Sequence, residues 1–150
     1  MPSIEPLASI DLPEVASLLA QDMPFMSHQQ HLHYLSNVVD AGLSFKAVVG
    51  SEIVGALLFG EAEYEGDEFG DAPGVELVLF YLDREYRGKT FSRELLATAF
   101  NTDHLAGFDF CWLQVLANLH THNYWMRHGF KLVDDDEHCK VYARLLPLAI

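Results

Sequence analysis

The chain has 150 residues, half of them apolar, and carries a formal charge of −13 from 22 acidic and 9 basic side chains. That length suits one domain over residues 1–150 with a single covered core. The charge argues against nucleic acid, whose phosphates have to be met by lysine and arginine. No apolar run reaches the ~18 residues of a membrane helix and no basic, then apolar, then small-residue leader opens the chain, so a cytoplasmic protein is expected. Two cysteines, Cys111 and Cys139, are far below the density of a disulfide scaffold and read as reduced, buried thiols.

Asp11-Leu-Pro-Glu14 is an N-cap followed by a first-turn proline and a Glu at N3, and Val15, Leu18 and Leu19 follow at helical spacing. Ser27 and Gln30 form a capping box for a second helix. It carries Leu32, Leu35 and Val39 on one face and is expected to stop at Gly42. LSFKAVVG and IVGALLFGEAEY flank the pair Ser51-Glu52 and predict a tight hairpin. The acidic, glycine-rich GDEFGDAPG separates it from VELVLFYL, an apolar run of strand length. KTFSRELLATAF then sets Phe91, Leu95, Leu96, Ala99 and Phe100 on one helical face. FDFCWLQVL predicts another strand, Asn118 caps a helix running to His128 with Gly129 as its C′ residue, and FKLVD and HCKVYARLL close the chain as a hairpin around residues 134–137. The order is β-α-α-β-β-β-α-β-α-β-β. Strand-helix-strand around residues 75–116 requires local parallel pairing and the hairpins antiparallel pairing, so the sheet is mixed.

Scarce cations are concentrated: Arg84, Arg87, Lys89 and Arg93 fall within ten residues at the start of the third long helix. A helix start presents unpartnered N–H groups and the positive end of the dipole, so this island reads as an anion site. Acids gather elsewhere, in Glu61, Glu63, Glu65, Asp67, Glu68 and Asp71, and again in Asp134, Asp135, Asp136 and Glu137. Among the eight histidines His28 and His31 can share a helical face, but no cysteine or carboxylate completes a four-ligand set with them or with His33, His120 and His122, and no metal is expected.

With this element order and two of its segments, the chain resembles the GNAT superfamily of acyl-CoA-dependent N-acyltransferases over nearly its whole length. One segment is Arg87-Gly88-Lys89-Thr90-Phe91-Ser92, at the six positions where the family carries Gln/Arg-x-x-Gly-x-Gly/Ala. The other aligns Asn118, Trp125, Gly129 and Phe130 with a family pattern of Asn, an aromatic seven residues on, then Gly-Phe. The resemblance implies an α/β (α+β) fold, a mixed sheet of six to seven strands flanked by about four helices. It implies acetyl-CoA as co-substrate, held by residues 87–92, by Asn118, and by the backbone of Phe80, Tyr81 and Leu82 where two central strands splay. Thr90 and Ser92 replace both motif glycines, which suits backbone that is right-handed there and not backbone that needs positive φ.

For catalysis the resemblance implies a base and an acid. Glu76 stands eleven residues ahead of Arg87, an offset at which some members carry a general base, and strand alternation puts it on one face with Val78, Phe80 and Leu82. Trp125 occupies the position of the family's tyrosine, where an indole N–H is no practical acid. Tyr124 is adjacent but projects ~100° away on a helix, and His122 lies one turn earlier on the side of Trp125. Packing in the core is the plainer role for Trp125. In the family layout the last hairpin and the first inter-helix segment border the acceptor, so the acids favour a cationic amine such as a polyamine, an amino sugar or a basic peptide. The reading is an N-acetyltransferase acting on a primary amine, and it allows a homodimer. Loss of the glycines and the tyrosine keeps open a non-catalytic module of the same fold that binds acyl-CoA or a protein partner, or one that has lost coenzyme altogether.

Overall fold

A computed structural model describes residues 2–87, 90–116 and 121–146. Its elements are β1 (Ser3–Pro6), α1 (Leu12–Asp22), α2 (His28–Val38), β2 (Phe45–Val49), β3 (Glu52–Gly60), β4 (Gly74–Leu82), α3 (Phe91–Phe100), β5 (Phe110–Leu116), α4 (His122–Arg127), β6 (Lys131–Asp135) and β7 (Cys139–Leu145). The expected order is the observed one. Seven strands form one sheet, β1-β2-β3-β4-β5-β7-β6. Every neighbouring pair is antiparallel except β4 and β5, which α3 joins as a parallel crossover. The sheet is mixed, as expected.

Helices cover both faces. On one, Val15 and Leu19 of α1 and Leu35 of α2 pack on Ile53, Ala56, Leu58 and Tyr81. On the other, Leu95, Leu96, Ala99 and Phe100 of α3 pack on Phe45, Leu57, Phe59, Val75 and Leu82. A third cluster forms where the β3–β4 connection folds back: Phe69 stacks on Phe110 with centroids 4.1 Å apart, and Tyr64 meets Trp112 at 5.5 Å.

Local signals read from sequence are mostly placed as expected. Ser27 Oγ accepts the N–H of Gln30 at 3.1 Å while Gln30 Oε1 accepts that of Ser27 at 2.8 Å, the reciprocal box. Asp11 stands at the N-cap of α1, but its carboxylate turns back to accept the Ala8 N–H and to pair with Lys46 at 3.2 Å. Several boundaries differ. The fourth helix opens at His122 with Thr121 at its N-cap position, not at a cap formed by Asn118, and β6 runs on to Asp135, into the expected turn. The second helix stops at Val38, not Gly42, because Val39 adopts extended geometry and Asp40 donates its N–H to Phe59 of β3. The first hairpin turns at Gly50-Ser51, one residue early, with Val49 opposite Glu52 and Gly50 at φ +63°. β3 ends at Gly60, where a Cβ would lie 2.4 Å from the Val38 carbonyl, so Tyr64 belongs to the connection and not to the strand. Of the two free thiols Cys111 is buried, whereas Cys139 is only partly covered.

The end of α4 is built with particular care. Gly129 has φ +84°, its N–H reaches the Met126 carbonyl, and the Phe130 N–H reaches Trp125 O, both at 3.1 Å: a Schellman stop. Arg144, buried and unforeseen from the sequence, donates from Nη1 to the His128 carbonyl at 2.6 Å and lies 5.1 Å from the Phe100 ring centroid. A Cβ at Gly129 would stand 2.8 Å from that Nη1. Gly129→Ala therefore meets strain at positive φ and a clash with a buried guanidinium. It is expected to cost about 1–3 kcal/mol, read as a lower urea midpoint at unchanged m-value.

Candidate active site

The parallel ladder between β4 and β5 is short: Gly74 pairs with Phe110, Val75 with Cys111 and Glu76 with Trp112, and no pair follows. Beyond Glu76 the two strands diverge. The residues expected to supply backbone donors, Phe80, Tyr81 and Leu82, lie in this splayed stretch, paired only with β3. In an antiparallel pair alternate residues direct N–H and C=O to the partner, so the others in this stretch direct theirs into the gap.

A bulge sits beside the divergence. Leu58 pairs with Leu79 but Phe59 with Leu77, which leaves Val78 extra on β4. Alternation consequently slips, correcting the expected common face. Val75, Leu77, Phe80 and Leu82 join the α3-side core, whereas Leu79 and Tyr81 join the α1-side core. Glu76 thus faces away from Phe80 and Leu82.

On the α3 side of the gap, Phe80, Leu82, Arg87, Ser92 and Tyr124 line a cavity of about 200 Å³. Tyr124 is the aromatic of α4 that reaches it. Burial raises the pKa of its hydroxyl, and a hydrogen bond from Ser92 offsets part of that rise. Trp125 does not line the cavity. Its ring packs edge-on against Phe130 at 5.7 Å, and its indole nitrogen is buried without a partner among the described residues. His122 Nδ1 is 2.9 Å from the Tyr142 hydroxyl, so this ring also has another engagement.

Thr90 is the N-cap of α3 with φ −72° and ψ −8°, and Ser92 is inside the helix. Among the described residues no non-glycine has positive φ, so the two replaced glycines impose no strain. Phe91 is half-buried, with its ring 6.3 Å from that of Tyr86. Gly88, Lys89 and Asn118, three expected cofactor contacts, lie outside the described residues. Arg87, partly exposed at the cavity wall, is also engaged elsewhere: Nε donates to Leu82 O at 2.6 Å, Nη2 donates to Asp22, and the guanidinium lies 5.2 Å from the Tyr81 ring centroid on the α1 side. Arg84 Nε donates to the other Asp22 oxygen at 3.0 Å. These bonds hold the Asp22 carboxyl below its usual pKa, the Arg87 bond most.

On the opposite face lies a groove of about 860 Å³. Both acid-rich stretches converge on it: Glu63, Glu65, Asp67 and Glu68 from the β3–β4 connection, Asp134 and Asp136 from the last hairpin. Glu76 is on its wall beside Trp112 and Gln114, and no lysine or arginine lines it among the described residues. Burial raises the pKa of Glu76, and a hydrogen bond from Gln114 partly counters that. His28 and His31 are turned to separate backbone carbonyls, Pro13 O at 2.9 Å and Met23 O at 3.1 Å. Among the described residues no group of three His, Cys, Asp or Glu side chains is placed to hold a metal ion, and no helix is long and apolar enough to cross a membrane.

A sheet splayed between its fourth and fifth strands, with a helix start at the open end, defines an acyltransferase fold. The sequence model of the acetyltransferase (GNAT) family matches residues 12–130, and the chain belongs to that family. Solved structures agree in fold. PH1933 from Pyrococcus horikoshii OT3 superposes with a TM-score of 0.76 at 19% identity, over 99% of this chain and 100% of that one. The PaiA N-acetyltransferase of Thermoplasma acidophilum, solved in complex with coenzyme A, gives 0.65 at 18% identity over 97% and 99%. Arabidopsis thaliana NAA60, solved with a bisubstrate analogue, gives 0.70 at 13% identity over 97% and 98%. No curated protein sequence matches the chain.

The raised Glu76 pKa has a consequence for stability. The folded state binds this proton more tightly than the unfolded chain, so the contribution is full below the ordinary value of 4.5 and is lost as pH rises through the higher folded value. Glu76→Gln removes the penalty of a half-buried charge. Its melting temperature is expected to equal or exceed that of wild type at pH 7, with the difference closing at pH 4 and below, in a pH series of thermal melts.

Proposed function

We propose that the chain moves an acetyl group from acetyl-CoA to a primary amine of a cationic small molecule or peptide. The observation that carries the reading is the arrangement about the β4–β5 gap: an acid-lined groove with Glu76 on one face, and on the other a cavity with Tyr124 beside the start of α3. Acetyl-CoA supplies the acetyl group as a thioester. The N–H groups at the α3 start suit its pyrophosphate, and a coenzyme A donor fits a cytoplasmic protein.

Each step then has a group of this chain assigned to it. Glu76, its basicity raised by burial, takes a proton from the acceptor ammonium or amine, directly or through water. A β4 backbone N–H in the splayed stretch stabilises charge on the thioester oxygen as nitrogen bonds to carbon. Tyr124 keeps its proton at neutral pH and can give it to the departing sulfur as the carbon–sulfur bond breaks. Thr90 in right-handed geometry removes one reason to regard the motif as spent.

Millimolar acetyl-CoA is expected to raise the melting temperature, since it binds the native state alone. An amine panel then reads turnover. Glu76→Gln is expected to lower kcat about 10²-fold with the Kd for coenzyme A nearly unchanged, and Tyr124→Phe to lower it less. A thermal shift without turnover on any amine would leave the binding-module reading.

Acceptor charge has its own test. Exposed carboxylates act within a Debye length, ~8 Å at physiological ionic strength. The kcat/KM for a polyamine or basic peptide is expected to exceed that for a neutral-bodied amine at low salt, with the advantage shrinking as salt rises. Asp134→Asn with Asp136→Asn is expected to raise KM for the cationic acceptor and leave KM for acetyl-CoA alone. Selectivity that ignores salt would reduce the acids to solubility features.

A further inference from the structure

Asp22 is the last residue of α1, yet its carboxylate serves a distant part of the chain. One oxygen accepts from Arg84 Nε at 3.0 Å and the other from Arg87 Nη2. Arg84 opens, and Arg87 follows, the short helical turn Arg84–Tyr86 that leads from β4 toward α3. A single carboxylate therefore staples both ends of that turn to the end of a helix packed on the other face of the sheet. The Asp22 side chain is 16% exposed and that of Arg87 44%, so the pair is partly shielded, and Arg87 is further fixed by Leu82 O and the Tyr81 ring.

The direction of Arg87 decides what it can do. Arg87 contributes to the wall of the α3-side cavity with Ser92 and Tyr124. Its guanidinium nevertheless lies over Tyr81 of the α1-side core, with Nε on Leu82 O and Nη2 on Asp22, so two of its three nitrogens are committed there. Its fork spans a carboxylate and a backbone carbonyl at once, a geometry that a lysine ammonium on a flexible stem does not reproduce. We propose that Asp22 is a positioning residue: by holding Arg84 and Arg87 on the α1 side it sets the turn that presents the α3 start to coenzyme A, with Arg87 acting as a clasp and not as a phosphate ligand.

The proposal rests on the coenzyme A reading for its functional consequence, but the clasp can be tested without ligand. In the unliganded full chain, Asp22→Asn is expected to speed amide hydrogen exchange at Tyr86 and Arg87, whose N–H groups bond Asp83 O and Arg84 O, about tenfold, with β6 and β7 unaffected. Unchanged exchange there would overturn the clasp even if coenzyme A binds. Calorimetric titration with coenzyme A gives the second arm. Arg87→Lys and Arg87→Gln are expected to weaken binding alike, about tenfold. Asp22→Asn with Arg87→Gln should be no weaker than Arg87→Gln alone, and Asp22→Glu should recover most of the loss. Near-wild-type affinity in Arg87→Lys would show a charge used directly on phosphate, and tighter binding in Asp22→Asn would show a carboxylate competing with phosphate. Either result would overturn the proposal. Failure of wild type to bind coenzyme A would instead overturn the functional reading and leave the exchange result to judge the clasp.

Discussion

Everything in the site follows from where the β4–β5 ladder ends. Three residue pairs hold the strands together, and past Glu76 and Trp112 each continues alone, β4 along β3 and β5 along β7. A regular parallel sheet would have used those N–H and C=O groups on its neighbour and left no opening. Divergence spends no side chain to make a cavity lined by backbone donors, and it makes that cavity at the end of the strand that leads into α3. The Val78 bulge adds a second effect of the same distortion. It lets Glu76 face the groove while Phe80 and Leu82 face the cavity, although all three have even numbers on one strand.

Charge is arranged around this opening in a way that net charge alone hides. The groove collects carboxylates from segments some seventy residues apart, and the Tyr64 hydroxyl is bound to Glu68 at 2.7 Å as part of its rim. Four of the described cations are engaged: Arg84 and Arg87 by Asp22, Arg144 by the His128 carbonyl, Lys46 by Asp11. Two arginines of the island read from the sequence, Arg84 and Arg87, therefore meet a carboxylate in space. The terminus of α3 is itself a source of partial positive charge that needs no arginine pointing at it.

The fold was legible because its signals are local. The Ser27 capping box, the Gly129 stop and the alternating strands each depend on residues within a few positions, and tertiary packing kept them. Where packing intruded, the boundaries moved. The chain leaves the helix at Val39 so that Asp40 can bond β3, and Tyr64 was drawn out of a strand to cover Trp112. The site was less legible, for a related reason. Nothing in VELVLFYL marks an extra residue at Val78, so strict alternation put Glu76 on the wrong face. Nothing near Asp22 announces that it will meet residues 62 and 65 positions away. Backbone donors, bulges and long-range ion pairs carry no signature in composition or spacing.

The aromatic pair in α4 shows how a motif can be right and its residue misread. Aligned by pattern, Trp125 takes the position of the family's tyrosine, and Tyr124 stands one place off. The stop at Gly129 assigns Trp125 another task. In a Schellman motif the residue three before the C-cap supplies the carbonyl for the N–H of C″ and makes an apolar contact with it. Here those residues are Trp125 and Phe130, bonded at 3.1 Å with rings 5.7 Å apart. A helix whose last turn is fixed in this way has its rotation fixed as well. With Trp125 turned to Phe130, the neighbour ~100° around the axis faces β4, and that neighbour is Tyr124, at the cavity with Phe80 and Ser92. A tyrosine at position 125 would have to leave the Phe130 contact to reach the gap. The tryptophan therefore stabilises the helix end, and by doing so it presents the adjacent hydroxyl to the opening.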